Sequence, residues 1–383
     1  MDFKNILTDN VLKFWLDHAI DEVNGGIYTC LGRDGEIYGT EKSVWFQGRA
    51  LWTFSKAYNY VEKDPRYLAA AKKIYDFLPQ CEDTDGRMFF TVTATGEKIQ
   101  KRRYYYSETF AAIGCAQYYK ATGDEGALKK AECYFQTALD CYRDPSLNPP
   151  KYFQVSKALA PSMIMTSTAR SMAECMPSPE KYDAIAKECV REILHGGYIS
   201  EDIPALLENV SADGNFMNTP SGRVVNPGHS LEAAWFLMVE GMLSGDSEIL
   251  CAAKKIIDFT MPLGLDKKHG GIIAFCDALG KPPTALEWDM KLWWPQNEAI
   301  IANRMAFRIF GEQKYKEQYE ELLDYAFDKF ADPICGEWYG YLHYDSTPST
   351  DLKGNIFKGP FHLPRMLMLL NQMDNGKLED FFG

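Results

Sequence analysis

A glycine followed by aromatic or β-branched residues recurs along the chain at a nearly constant interval. That repeat constrains the fold more than any single motif. The copies are Gly26-Ile27-Tyr28, Gly86-Arg87-Met88-Phe89-Phe90, Gly214-Asn215-Phe216, Gly271-Ile272-Ile273 and Gly336-Glu337-Trp338-Tyr339. Their glycines are 60, 128, 57 and 65 residues apart. The interval of 128 is two periods, and Asn148–Phe153 (NPPKYF) lies near the missing copy. A chain of 383 residues then holds six units of about 64 residues each.

Each unit has room for two helices, and helical periodicity predicts twelve: 2–22, 42–62, 64–78, 104–121, 124–142, 161–176, 180–195, 228–244, 246–260, 292–310, 312–330 and 360–372. The glycine loops join each odd helix to the next even one, and the even-to-odd links are short, so the long loops gather on one face. Four even helices are expected to start at proline (Pro161, Pro227, Pro295, Pro360), which suits the first helical turn because it lacks the N–H that would go unpaired there. In the eighth helix, His229, Glu232, Ala233, Phe236, Leu237 and Glu240 form one stripe, so the even helices read as the inner ones. The pattern predicts an all-α (α/α)6 barrel with short β-hairpin loops on one face, spanning residues 1–383 as a single domain, although length alone suggests two or three. An open superhelix of helical pairs and a two-domain bundle are the alternatives.

Composition narrows the partners. The net charge of −12, from 53 acids and 41 bases, leaves no long basic track for nucleic acid. The N-terminal MDFKNILTDN carries acids and a base where a signal peptide would need an apolar stretch, and no window of 18 apolar residues appears, so an unexported protein is expected. Ten cysteines with no C-x-x-C pair read as reduced thiols, mostly buried, in a cytoplasmic protein.

Of six histidines, two share a local grammar: Pro227-Gly228-His229 and Pro360-Phe361-His362. Both belong in the first turn of inner helices, facing one cavity, where the helix dipole keeps an imidazole neutral. Two neutral imidazoles suit acid/base work on a C–H bond. Glu232, one turn after His229, is placed to orient that imidazole, and Glu298 follows Trp293-Trp294-Pro295 in the equivalent turn. Arg49 lies among Trp45, Phe46, Trp52 and Phe54, either as a cation–π element or as a charge aimed at an oxyanion. Tyr105, Glu108, Trp293, Trp294 and Asn297 add the rings and polar groups that a neutral sugar requires. No zinc motif and no nucleotide cradle are present, so no metal is expected.

The stretches 46–52 (FQGRALW), 103–111 (RYYYSETFA), 223–236 (RVVNPGHSLEAAWF), 293–299 (WWPQNEA) and 358–366 (KGPFHLPRM) resemble the N-acylglucosamine 2-epimerase family, which also includes cellobiose 2-epimerases and mannose isomerases. The Asn-Pro-Gly-His form is similar to that of the N-acetylglucosamine branch. The resemblance implies an (α/α)6 barrel and epimerisation at C2 of N-acetylglucosamine and N-acetylmannosamine, with no required cofactor and with ATP as an activator of some members. It matches His229 and His362 to an acid/base pair, Arg49 to a conserved arginine, Glu232 and Glu298 to supporting carboxylates, and Lys151 to a lysine of the acetamido-sugar branch. It also implies a homodimer. Competing readings are an aldose–ketose isomerase or 2-epimerase of mannose, glucose or cellobiose, a glycoside hydrolase using Glu298 with Asp289 or Glu108, and a non-catalytic sugar-binding toroid.

Overall fold

The computed structural model describes residues 1–101, 104–148, 156–376 and 382. Among these residues, twelve helices follow the predicted order. The first, α1, spans 3–18, with a π-helical stretch at Ile6–Leu12. It is followed by α2 (Val44–Tyr60), α3 (Pro65–Phe77), α4 (Tyr106–Thr122), α5 (Glu125–Arg143) and α6 (Leu159–Cys175). The second half holds α7 (Pro179–His195), α8 (Pro227–Ser244), α9 (Ser247–Gly264), α10 (Trp293–Phe310), α11 (Gln313–Lys329) and α12 (His362–Asn375).

The even helices pack each against the next, and α12 returns to α2, so the inner ring closes. Each odd helix lies outside, on an even one. Burial follows this division. In α7 only the stripe Tyr182, Ile185, Ala186, Cys189, Val190 and Ile193 is buried, as a single amphipathic face should be. In α8 nearly every residue from Pro227 to Gly241 is buried. The fold is therefore an (α/α)6 barrel. Among the described residues no helix is long and apolar enough to cross a membrane.

Inner-to-outer links are short because the stop and start signals adjoin. Gly123 and Gly245 end α4 and α8 in the left-handed conformation (φ 72° and 69°), which glycine adopts without Cβ strain. Asp124 and Asp246 follow at once and accept backbone N–H groups at the starts of α5 and α9, caps worth about 1 kcal/mol each. Of the expected proline starts, Pro227 opens its helix, Pro161 and Pro295 stand third in theirs, and Pro360 lies two residues before α12.

The long loops share one construction. Gly26, Gly86, Gly214, Gly271 and Gly336 all have φ between 76° and 80°. In four of these loops a lysine ammonium grips the aspartate that opens the turn: Lys42–Asp21, Lys101–Asp83, Lys291–Asp266 and Lys353–Asp332, at 2.7–2.9 Å. The side chain of Gln47 both donates to and accepts from the backbone of Ile27, and Gln296 does the same with Ile272. Short strands stitch four pairs of neighbouring loops together among the described residues: Lys42–Ser43 with Thr91–Val92, Lys157–Ala158 with Asn209–Val210, Val224–Val225 with Cys276–Asp277, and Lys291–Leu292 with Tyr341–Leu342. Backbone bonds between Leu31 and Lys353–Gly354 join the last loop to the first. The region of the missing sixth marker, 149–155, lies outside the described residues.

Candidate active site

The stitched loops surround a cavity of about 480 Å³ above the inner helices. Its wall includes Trp45 and Arg49 from α2, His229 and Glu232 from α8, Trp293 and Trp294 from α10, and His362 from α12. Glu287, Met290, Leu292, Tyr341 and Phe357 complete it from the loops. Four of the six inner helices therefore deliver side chains to one space. Below it the barrel is filled: Phe361 and Arg365 border a void of only about 40 Å³ that also touches Lys56, Arg170 and Glu240. Lys56 pairs with Glu174 and Arg170 with Glu240 at 2.6–2.7 Å, so this end is packed and ion-paired.

The indole of Trp294 lies beside both imidazoles, with ring centroids 5.3 Å from His229 and 5.7 Å from His362. Gly228 makes this packing feasible, since a Cβ there would stand 2.5 Å from that indole. The Pro-Gly-His sequence thus sets a helix start, a gap for a ring and an imidazole in successive residues.

Each imidazole is held through Nδ1 by a carboxylate. His229 donates to Glu208 at 3.1–3.2 Å, and His362 donates to Glu298 at 2.7 Å. Neither Nε2 has a protein partner among the described residues, so that nitrogen is the one available to a ligand. Glu232, expected to orient His229, is instead bound by the Arg365 guanidinium at 2.5 Å; the same nitrogen donates to Glu298 at 2.7 Å. Trp235 Nε1 adds a third bond to Glu298 at 2.7 Å. Glu232, Glu298 and His362 are the one acid–histidine group of the described residues close enough to share a metal ion, and a guanidinium already bridges its two carboxylates.

The two histidines differ electrostatically. Burial disfavours a proton on His229, but the charge and hydrogen bond of Glu208 outweigh it and raise its pKa above the ordinary value. Burial, then the cationic Arg365 and Arg49, push His362 well below it. The dipole argument that made both neutral therefore fails at His229, because a carboxylate in hydrogen-bond contact outweighs a partial helix charge. Exposure differs too, at 28% for the His229 side chain and 8% for His362.

Arg49 lies over Phe110 at 4.0 Å and Phe361 at 4.8 Å. Among the described residues its Nε has no hydrogen-bond partner, and neither has Trp293 Nε1. Burial lowers the guanidinium pKa to about 9, which leaves it charged near neutrality. It is a cation seated among rings with bonding capacity left unused.

Other expected residues stand elsewhere. Glu108 is fully buried away from the cavity, bound to Arg87 Nε (2.7 Å) and Met88 N–H (2.8 Å). It clamps a glycine loop as Gln47 and Gln296 do, which is a structural task. Tyr105 is buried in the core beside Tyr106, and burial raises its pKa. Asn297 is fully buried against the Met366 sulfur. Asp289 is absent from the cavity wall, and Lys151 lies outside the described residues. Sequence reasoning missed Glu208, Arg365 and Glu287. Arg365 was detectable, since it follows His362 by three residues and so shares its helix face; Glu208, on a loop without periodicity, gave no signal.

The sequence profile of the N-acylglucosamine 2-epimerase family matches residues 26–358. The chain is 36% identical to the N-acylglucosamine 2-epimerase of Bos taurus, over 97% of this chain and 90% of the bovine one. It is 26% identical to the cellobiose 2-epimerase of Eubacterium cellulosolvens, covering 94% and 95% of the two chains. The solved structure of cellobiose 2-epimerase from Bacillus thermoamylovorans B4167 superimposes with a TM-score of 0.84 at 19% identity, covering 97% of this chain and 98% of that one.

Proposed function

The chain belongs to the N-acylglucosamine 2-epimerase family, and from that premise we propose that it is an isomerase that interconverts N-acetylglucosamine and N-acetylmannosamine with His229 and His362 as its acid/base pair. The observation that carries this reading is the pair of imidazoles on α8 and α12, on the wall of one cavity, each fixed through Nδ1 by a carboxylate and each with no partner at Nε2 among the described residues.

The chemistry follows from that geometry. The sugar ring opens first, because only the aldehyde makes the C2 hydrogen acidic. One Nε2 takes the C2 proton, the C–H electron pair becomes the C1=C2 bond of an enediolate, and O1 takes the negative charge. The Arg49 guanidinium, charged and short of partners, stabilises that oxygen. The second imidazole returns a proton to the opposite face of C2 and the carbonyl re-forms. No electron leaves the substrate, so no redox cofactor is required. Rings of Trp45, Trp293, Trp294 and Tyr341 cover apolar sugar faces.

The test is a proton NMR time course in heavy water with N-acetylglucosamine, N-acetylmannosamine, mannose, glucose and cellobiose, each with and without ATP. Wild-type protein exchanges deuterium into C2 while epimerising the acetamido sugars, and His229→Asn and His362→Asn each abolish turnover. A ketose product, glycoside hydrolysis, or two variants with near-normal turnover would each defeat the proposal. The ATP arms test activation by nucleotide. A homodimeric, cytoplasmic enzyme belongs to the same reading, and light scattering of the purified chain tests the dimer.

A further inference from the structure

Glu208 was not among the expected site residues, is absent from the cavity wall, and comes from the loop between α7 and α8 rather than from an inner helix. Its backbone is fixed on both sides: its carbonyl accepts from Leu159 N–H at 3.0 Å, and its N–H donates to Val224 at 3.3 Å. The next residues, Asn209–Val210, pair with Lys157–Ala158. The backbone that carries the carboxylate is thus anchored within its own loop and to the start of α6 with the strand before it. Its side chain is 13% exposed, and among the described residues no lysine or arginine forms an ion pair with it. Both of its oxygens lie 3.1–3.2 Å from His229 Nδ1.

The contrast with Glu298 is informative. That carboxylate is shared among His362, Arg365 and Trp235, so its charge is largely spent on a guanidinium. Two histidine–carboxylate pairs with the same connectivity therefore differ in what else the carboxylate serves.

We infer that Glu208 is a positioning residue that holds His229 as the proton-carrying member of the pair, so that in the resting enzyme His362 receives the C2 proton and His229 delivers one to the opposite face. This rests on the epimerase reading above. The proton balance closes: His362 gains the proton lost from C2, His229 loses the one that C2 gains, and a single proton returning from His362 to His229 restores the starting state. The groups facing His229 from other elements are Glu208 on its loop, Glu298 on α10, His362 on α12, Arg49 on α2 and Glu287 on the loop before α10, with Glu232 on its own helix. Glu208 alone among them touches the ring through a hydrogen bond. The raised pKa of His229 and the lowered one of His362 agree with this order.

Two measurements test the inference. The first is a pH titration of the histidine Cε1–H resonances in the wild-type protein, where six histidines keep the spectrum sparse and His229→Asn assigns one signal. His229 should titrate above the ordinary histidine value of about 6.5, and His362 below it. The second is the pH profile of kcat/KM in Glu208→Gln. Loss of the carboxylate lowers the His229 pKa, so the alkaline limb should move about one unit toward acid, while the acid limb set by His362 and KM stay in place. A His229 that titrates at or below the ordinary value, or a Glu208→Gln protein with an unmoved alkaline limb, overturns the inference. If Glu208→Gln fails to fold, the wild-type titration decides, with Glu208→Asp as the conservative variant that should keep the limb. A wild-type protein that does not epimerise refutes the functional reading instead, and the titration still shows separately whether Glu208 raises the His229 pKa.

Discussion

Replacing Arg365 by methionine keeps much of the side-chain volume and removes a charge on which three groups depend. Nη2 of Arg365 binds Glu232 at 2.5 Å and Glu298 at 2.7 Å, and lies 3.3 Å from His362 Nδ1, with the arginine itself 5% exposed. Arg365→Met leaves two buried carboxylates facing each other with no guanidinium between them. Removing one partner of a buried ion pair costs about 3–5 kcal/mol. With an unfolding entropy of roughly 2.1 cal/mol/K per residue, a chain of 383 residues gains about 800 cal/mol/K on unfolding, so Tm should fall by about 4–6 °C. The kinetic effect should be larger, because Glu298 also orients His362; we expect kcat/KM to drop roughly 100-fold or more, the scale of a general acid/base contribution. The pH profile adds a sign. After burial, Arg365 is the largest cause of the lowered His362 pKa. Its loss lets that imidazole hold a proton to higher pH, and the acid limb of kcat/KM moves upward. Differential scanning calorimetry with a pH–rate series reads all three quantities. A variant with Tm within about 1 °C of wild type and an unmoved acid limb would refute the guanidinium bridge as described.

Other expectations follow from the same contacts. Lys291→Met should cost about 3–5 kcal/mol at neutral pH, since a fully buried ammonium holds Asp266 at 2.7 Å. Burial alone would raise the Asp266 carboxyl, but Lys291 and backbone N–H groups hold it below its ordinary value. That stabilisation is present above about pH 4 and is lost as pH falls through the depressed folded-state value, so the gap between wild type and variant in urea melts should close in acid. Gly48→Ala places a Cβ 2.4 Å from the Phe110 backbone. It should push α2 from α4 and displace Arg49, cutting kcat by an order of magnitude or more while circular dichroism stays helical. Trp294→Ala removes the ring beside both imidazoles and should raise KM by roughly tenfold, about 1.4 kcal/mol of lost contact, as measured by initial rates on the acetamido sugars.

The helices were legible in the sequence because the signals that make them are local. Amphipathic stripes such as 182–193, the Gly-Asp stop-and-start pairs and the marker glycines act within a few residues, so their period could be counted. His229, His362 and Arg49 were legible for the same reason, each being tied to a helix start or a dense aromatic segment. The failures lie where the deciding partner is distant in sequence. His229 and Glu208 are brought together by a loop that carries no periodicity. Glu108 resembled a ligand-facing acid because its partner Arg87 sits in the preceding loop. Glu232 was paired with the wrong group because Arg365 reaches it from 133 residues away.

The stitched rim has a bearing on how such a chain tolerates being recut. Because most loops share strand pairs or backbone bonds with the loop of the next unit, the six copies are not interchangeable beads: a seventh unit, or the loss of one, would leave unpaired strand edges at the seam. The links on the opposite face carry no such obligation. New chain ends opened there, at Glu62–Pro65 or Thr122–Asp124, with the present ends joined, would leave the rim of the cavity intact, whereas the same cut among the glycine loops would open the ring that encloses the cavity. The number of repeats and the side on which the chain can be interrupted are thus fixed by the loops, not by the helices that give the barrel its bulk.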